Sequence, residues 1–422
     1  MTKRKMKDSG VAWIGQVPEG WSVRAFRFEF SFSKGLNITK ADLVDEGLPV
    51  VSYGQIHAKY NSARHLFDKL LRFVPAAVAE RDLDARLNKG DFVFADTSED
   101  VEGAGNFVLN DRDDVVYAGY HDLIARPNDS RNSAYLAYLF QTDAWRSQLR
   151  SMVQGIKVFS ITQRLFKKIS LILPPLAEQR KIAAFLDGEC GKIDRLRGKV
   201  EKQIAALEEY RKSVITEAVT KGIKRGRKMK PSGVEWIGEV PEDWQMSRLK
   251  NHAVITTGNL DTQDANPDGD YPFYVRSPIV ERADTYTFEG PGILMAGDGA
   301  GAGRIFHLAT GKYAVHQRVY RLFRFKDVDA KFLWRYLSVI FPKIMDMGSA
   351  QSTVPSVRMP MLSNLRMFVP HLPEQREIAA YVDRKCAAID SMVAKCREEL
   401  DRLAEYKKSL IYEYVTGKKE VA

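Results

Sequence analysis

Apolar residues recur at every seventh position through Leu186, Ile193, Val200, Leu207 and Val214, and the same spacing returns at Val382, Ile389, Cys396, Leu403 and Leu410. Leu196, Ile204 and Tyr210, with Met392, Leu400 and Tyr406 in the second run, stand at complementary positions and are expected to complete one apolar stripe on each run. No proline interrupts either run after Leu176 or Pro373. Pro174, Pro175, Pro370 and Pro373 fall where a helix starts, and Gly222 and Gly417 follow the ends. The pattern predicts two helices of about 40 residues, each about 60 Å long at about 1.5 Å per residue. A single stripe must be buried, either against the other long helix in an antiparallel pair, which is the expectation, or against the neighbouring domain.

Outside these runs the pattern shortens to strands and turns. Leu48 to Tyr53, Asp91 to Ala95, Asn106 to Leu109 and Asp122 to Ala125 read as strands, and Ser133 to Met152 as a helix. Tyr271 to Arg276, Gly292 to Ala296, Arg304 to His307 and Tyr313 to Phe325 repeat the theme, followed by a helix from Ala330 to Met347. Each segment is an α+β unit with polar and basic loops.

The chain is also written twice. Arg4 to Trp21 and Arg227 to Trp244 agree at 14 of 18 positions, and Pro174 to Thr220 matches Pro370 to Thr416 without a gap at 22 of 47. The opening motifs are offset by 223 residues and the closing ones by 196, so the segments between them differ in length by 27. Those middles, roughly 22 to 170 and 245 to 366, share little beyond scattered turns. Like ends around unlike middles imply a common scaffold on which each copy recognises something different.

Length and charge sharpen this picture. At 422 residues the chain exceeds one ordinary core, and two folded units are expected. An excess of 64 Lys+Arg over 54 Asp+Glu, a net +10, favours a polyanionic partner, nucleic acid before an anionic membrane surface or an acidic protein. The linker Lys221 to Lys230 holds six basic residues and no acidic one, and either touches a phosphate backbone or is simply solvated. With no long apolar run and no secretory signal, no membrane association and a cytoplasmic location are expected. Cys190, Cys386 and Cys396 form no CxxC pattern and have no histidine at ligand spacing, so buried thiols are expected and no metal site.

Three motifs come near catalysis. Gly299 to Gly303 has the glycines of a phosphate-binding loop but no Lys-Ser/Thr ending, and a strand is expected to follow it. Asn266-Pro267-Asp268-Gly269 lacks the second proline and the aromatic of an amino-methyltransferase loop, and reads as a polar turn. Asp96, Glu99 and Asp100 have no Glu-x-Lys partner of the kind a nuclease needs. No catalytic residue is assigned.

The opening SGVxWIGxVPExW, the closing PxLxEQRxIAAxxD that leads into a long helix, and their double occurrence resemble the specificity subunit of type I restriction-modification enzymes. Gly90 to Ser98, Gly292 to Arg304, Tyr117 to His121 and Tyr313 to His316 are similar to strand and turn segments of that family's recognition domains. The resemblance implies an α+β fold: two α/β target-recognition domains separated by a pair of long antiparallel coiled-coil helices, related by a pseudo-two-fold internal repeat. Its expected parts are a first recognition domain over 1–172, a central helix over 173–222, a linker and second recognition domain over 223–368, and a C-terminal helix over 369–422. The resemblance further implies a non-catalytic subunit whose domains each read half of a split, asymmetric double-stranded DNA target. The helices set the spacing and dock two methyltransferase subunits, restriction/translocase subunits complete the assembly, and S-adenosylmethionine, ATP and Mg act in those partners, with no cofactor in this chain.

Candidate DNA contacts are the loop donors and acceptors able to pair with base edges. In the first domain they are Lys34, Asn37, Lys40, Tyr53, Gln55, His57, Thr97, Ser98 and Lys157. In the second they are Asn259, Arg276, Ser277, Arg304, Gln351, Ser352 and Thr353. His121 and His316 are read as structural rather than contacting. Two other readings compete: a coiled-coil adaptor joining two protein partners, separable by DNA binding, and a nuclease, which would cleave DNA with metal and no partner.

Overall fold

A computed structural model describes residues 4–11, 13–153, 158–348 and 355–421. The chain divides into two compact units, one formed by Met1–Lys199 with Glu399–Ala422 and the other by Val200–Glu398.

In the first unit, Met6–Asp8 and Gln16–Pro18 form a hairpin, and Ser22–Ala25 pairs antiparallel with Ser170–Leu173, tying the two ends of the middle segment together. Between them lies an antiparallel sheet in the order Phe30–Lys34, Asp122–Pro127, Phe92–Ala95, Phe107–Leu109. Successive side chains on a strand point to opposite faces, and both faces of this sheet are covered. Phe92, Phe94, Phe107 and Leu123 join an aromatic core with Phe26, Phe140, Trp145 and Phe166. Val93, Ala95, Val108 and Ile124 enter a second, aliphatic cluster with Val51, Ile56 and Ala118. Tyr117–Ala118, which contributes to that second cluster, runs parallel to Leu48–Val51, itself paired antiparallel with Arg72–Val74.

The second unit repeats this plan although its middle segment shares little sequence with that of the first. Its main sheet has the order Val254–Thr257, Val319–Phe323, Gly292–Ala296, Phe306–Ala309, and a second sheet again contains one parallel pair, Tyr271–Tyr274 with Lys312–Val315. The hairpin Met229–Pro231 with Glu239–Pro241 and the pairing of Gln245–Arg248 with Arg366–Val369 close it as in the first unit.

Several expected elements are shorter than the pattern suggested. The strand from Leu48 stops at Val51, and Tyr53–Ile56 is a helical turn. The helix expected over Ser133 to Met152 is two, Ser133–Gln141 and Asp143–Arg150, because Thr142 adopts an extended conformation and its hydroxyl accepts from the Trp145 amide, capping the second. The segment Tyr313 to Phe325 is two strands, because the chain reverses at His316–Arg318, where the Val319 amide donates to the His316 carbonyl. The strand expected from Arg304 begins at Phe306, since Gly301 to Arg304 still belong to a hydrogen-bonded turn.

The two long helices are Leu176–Lys221 and Leu372–Val415. They pack antiparallel, as each unit shows separately. In the first unit the Phe185 ring packs against that of Tyr414 and Lys407 binds Asp194; in the second Arg397 faces Glu208 and Arg211 faces Asp390. The Lys407–Asp194 and Arg211–Asp390 pairs are counterparts in the internal repeat. The buried seam differs from the expected stripe. Leu186, Ile193, Val200, Val382, Ile389 and Cys396 are buried, but their companions are Cys190, Cys386 and Val393, whereas Leu196, Tyr210, Met392 and Tyr406 are exposed and Ile204 and Leu400 half-buried. All three cysteines are free and buried, and burial pushes the Cys190 thiol up to about 11.

The repeated motifs meet in space. In the first unit Glu178 of the closing motif accepts the Trp21 indole N–H at 3.0 Å and binds Arg4 at 2.7 Å. In the second unit Glu374 binds Arg227, whose guanidinium also holds Asp243 at 2.6 Å and lies over the Trp244 ring. The neighbouring glutamines serve the same turn, Gln179 donating to the Pro174 carbonyl at 2.7 Å and Gln375 to that of Pro370 at 2.8 Å.

Candidate nucleic-acid interface

Each main sheet ends in a cluster of loops built on the same backbone register. Asp122 lies opposite Ala95 as Val319 lies opposite Ala296, and Ala118 pairs with Val51 as Val315 pairs with Tyr274. Counting outward from these anchors, Tyr53 corresponds to Arg276, Thr97 to Asp298, and His121 to Arg318. The loops themselves are held alike. The amides of Gly35 and Gly258 donate to the Asp122 and Val319 carbonyls, both at 3.1 Å, and those of Ile161 and Val357 donate to the Asp96 and Gly297 carbonyls, both at 2.7 Å. The next turns, Lys40–Asp42 and Thr262–Asp264, each start with a capping box, on Thr39 and on Asp261.

The first cluster is aromatic and polar. The Tyr53 ring meets those of Tyr120 and His121, both at 5.4 Å, and His121, at a left-handed φ of 58°, places Nδ1 3.2 Å from Asp96. His57 Nε2 donates to the Thr97 carbonyl at 2.8 Å while its Nδ1 accepts from Asn106 at 2.9 Å. Asn106 is oriented in turn by Arg146, a guanidinium that burial pushes down to about 10. Behind this layer Asp122 is buried: one carboxyl oxygen accepts from the Gly119 amide at 3.0 Å, and the other has no hydrogen-bond partner among the described residues. Burial raises its pKa well above the usual carboxylate range.

The second cluster is charged. Asp298 accepts from Arg276 at 2.9 Å through one oxygen and from Arg318 at 2.7 Å through the other. Burial works against its ionisation, but the hydrogen bonds from Arg318 and Arg276 hold it below the ordinary carboxylate value. A cavity of about 360 Å³ opens beside them, lined by Thr262, Val275, Arg276, Ser277, Glu281, Asp298, Gly299, Ala300, Gly301 and His316. His316 is buried, its Nδ1 accepting the Arg318 amide at 3.0 Å and its Nε2 facing Asp261 at 3.2 Å.

The structure thus brings Tyr53, His57 and Thr97 together, with Gln55 on the same helical turn as Tyr53, and joins Arg276 with Ser277. Lys34, Asn37 and Lys40 are exposed on the loop that leaves the first sheet strand, and Asn259 is exposed on its counterpart. Ser98 is buried, with its hydroxyl accepting the Asp100 amide. Arg304 is drawn away to Asp346 at 2.5 Å and does not line the cavity. Lys157, Gln351, Ser352 and Thr353 lie outside the described residues. Arg318 and Asp298 were not among the candidates read from the sequence, and His121 was read as structural; the correspondence that groups the three is written in backbone register and not in residue identity.

The remaining motifs resolve plainly. The turn at Gly299 to Arg304 leads into a strand, and Asn266 to Gly269 is a turn in which the Gly269 amide donates to the Asn266 carbonyl at 2.9 Å. In the basic linker, Arg227 is committed to Glu374 and Asp243, and Lys230 donates to the carbonyls of Glu242 and Trp244, both at 2.7 Å. Among the described residues no group of His, Cys, Asp or Glu is placed to hold a metal ion, and no helix is long and apolar enough to cross a membrane.

Residues 36–205 and 241–401 match the family model of the type I restriction modification DNA specificity domain. The chain therefore belongs to the type I restriction-modification DNA specificity family. Members are the DNA-recognition components of these systems and are not themselves catalytic; this one carries two recognition domains. Over 96% of its length it is 25% identical to a putative type I restriction enzyme MjaX specificity subunit of Methanocaldococcus jannaschii, covering 95% of that protein. The MjaVIII specificity subunit of the same organism is likewise 25% identical, with 96% of this chain and 94% of that one covered. Among solved structures, a chain from a study of complex assembly and conformational transition in the type I R-M system shares the fold, with TM-score 0.72 at 17% identity, covering 96% of this chain and 99% of that one.

Proposed function

We propose that each recognition domain reads one half of a bipartite, asymmetric DNA target and that the two long helices set the gap between the halves and dock two methyltransferase subunits. The observation that carries this reading is the equivalence of the two loop clusters: one register, one set of backbone hydrogen bonds, and different side chains at Tyr53/Arg276, Thr97/Asp298 and His121/Arg318. A common frame with unlike donors and acceptors supports two half-sites of unlike sequence. Lys34, Asn37, Lys40, Gln55 and Asn259 supply the surrounding polar contacts. Docking is supported by the exposed apolar residues that recur in the helix repeat, Leu196 with Met392 and Tyr210 with Tyr406. Two repeat-related patches suit two copies of one partner. S-adenosylmethionine, ATP and Mg belong in this reading to the partner subunits, restriction/translocase subunits complete the complex, and the assembly works in the cytoplasm.

The test is the methylome of the host with and without this gene. Loss of one split, asymmetric motif supports the reading. An unchanged methylome, with the methyltransferase expressed, refutes it in favour of a protein adaptor.

A further inference from the structure

We propose that the half-site read by the second domain contains a guanine, read by Arg276 and Arg318, and that Asp298 is the positioning residue that holds both guanidinium groups for it. The inference rests on the bipartite reading above and assigns chemistry to one half of it.

Arg276 and Arg318 arrive from different elements, one just after the strand Tyr271–Tyr274 and the other on the turn before Val319–Phe323, yet both end on the same carboxylate. Each spends a single Nη1 hydrogen bond on Asp298, and most of its five N–H donors have no hydrogen-bond partner among the described residues. Their side chains stay 39% and 60% exposed, which leaves the guanidinium groups accessible from solvent. Two guanidinium groups alone would repel each other and spread over many rotamers; the shared carboxylate removes the repulsion and fixes both.

The same carboxylate argues for a base edge over a phosphate. Asp298 cancels one of the two positive charges, which weakens a non-directional pull on the DNA backbone but leaves the directed N–H groups intact. Guanine offers two adjacent acceptors, O6 and N7, in the major groove, which match a guanidinium fork; adenine puts a donor beside its N7. The neighbouring wall is Gly299 to Gly301; a Cβ built on Gly299 would have no atom of the described residues within 4 Å, so the wall is open at that point, while Gly301 packs against Ile305 and the Arg276 carbonyl. At the equivalent positions the first domain has Tyr53, Thr97 and His121, with no guanidinium, so the preference belongs to the second half-site alone.

The test uses the full-length chain co-expressed with its modification subunits, comparing methylomes of the wild type, R276A, R318K and D298N. The expected result is a second half-site with a required G·C pair at which R318K and R276A lose discrimination roughly ten- to hundredfold. D298N should lose it partly, although both arginines remain. The first half-site keeps its stringency in all three, which also shows that the variants fold. An R318K chain with undiminished discrimination, a uniform drop in methylation with the motif intact, or a second half-site without a G·C pair each overturns the assignment while leaving the bipartite reading in place. A wild type that directs no bipartite motif overturns that reading and this inference together.

Discussion

The indole N–H of Trp21 donates to the Glu178 carboxylate at 3.0 Å, joining the opening motif to the first turn of the long helix across 157 residues of chain. Arg4 completes this clasp, and Arg227, Glu374 and Trp244 form its counterpart. The two stretches that the chain repeats are therefore the two halves of one fastening. Glu178→Ala should destabilise the first unit by about 1–3 kcal/mol through loss of two charge-assisted hydrogen bonds. Glu374→Ala should cost the second unit more, about 2–4 kcal/mol, because its carboxylate is only 8% exposed and the largely buried Arg227 would keep only the more exposed Asp243 of these two carboxylates. Hydrogen exchange in urea, read separately at the two hairpins, checks both; equal losses would contradict the difference in burial.

Gly35 and Gly258 pass directly over backbone carbonyls. A Cβ on Gly35 would lie 1.9 Å from the Gly119 oxygen, and one on Gly258 2.1 Å from that of Val315. Alanine at either position should displace the loop that follows and cost about 3 kcal/mol or more. Gly20→Ala, where nothing lies within 4 Å, is the matched control and should stay close to wild type in thermal melts.

Asp122 gives a pH dependence whose sign follows from its burial. Its folded-state pKa lies well above the ordinary carboxylate value, so the folded protein keeps a proton that the unfolded chain releases. That term is harmless below the unfolded value near 4 and erodes stability as pH rises from there towards the folded value. Asp122→Asn, which keeps an acceptor for the Gly119 amide, should be more stable than wild type at pH 7 by roughly 1–3 kcal/mol, with the gain fading as pH approaches 4. A gain of constant size in melts across that range would rule out the proton linkage.

The exposed apolar pairs on the helices make a stoichiometric prediction. If two methyltransferase subunits dock as proposed, Leu196→Glu with Tyr406→Glu should remove one, Met392→Glu with Tyr210→Glu the other, and all four together both. Native mass spectrometry of the complex counts them, and full occupancy in the fourfold variant would place docking elsewhere.

Adding a heptad to each long helix, after Lys199 and after Glu398, lengthens each by about 10.5 Å. The unread gap should grow by about three base pairs at about 3.4 Å each, with both half-sites unchanged. A methylome in which the bases change and the gap does not would sink the spacing role.

The helices were legible because a seven-residue repeat survives any tertiary context. The choice of seam was not. Four residues after Leu186, Val382 and Ile389 come the buried Cys190, Cys386 and Val393, while the apolar residues three positions after Ile193 and Ile389, Leu196 and Met392, face outward. Both spacings suit a helix, and only the facing helix decides between them. The two loop clusters were visible in part. Tyr53, Thr97 and Arg276 fell on equivalent positions, but Arg318 and Asp298 did not stand out, since a salt bridge between segments 20 residues apart leaves no local pattern.

The division of the chain also fixes an order of assembly. The second unit is continuous from Val200 to Glu398, so all its parts have been synthesised before the chain is complete. The first unit begins earlier and finishes later. Its aromatic core includes Leu410, Ile411 and Val415, the Tyr135 hydroxyl donates to the Val415 carbonyl at 2.9 Å, and Gly417 packs beneath Pro18 and Trp21. Domains ordinarily mature on the ribosome from the N-terminus onward. Here the residues ahead of Val200 must wait, with part of their core uncovered, for those beyond Glu398 to be translated, and a ribosome that stalls before Glu399 leaves behind a finished second unit and an unfinished first.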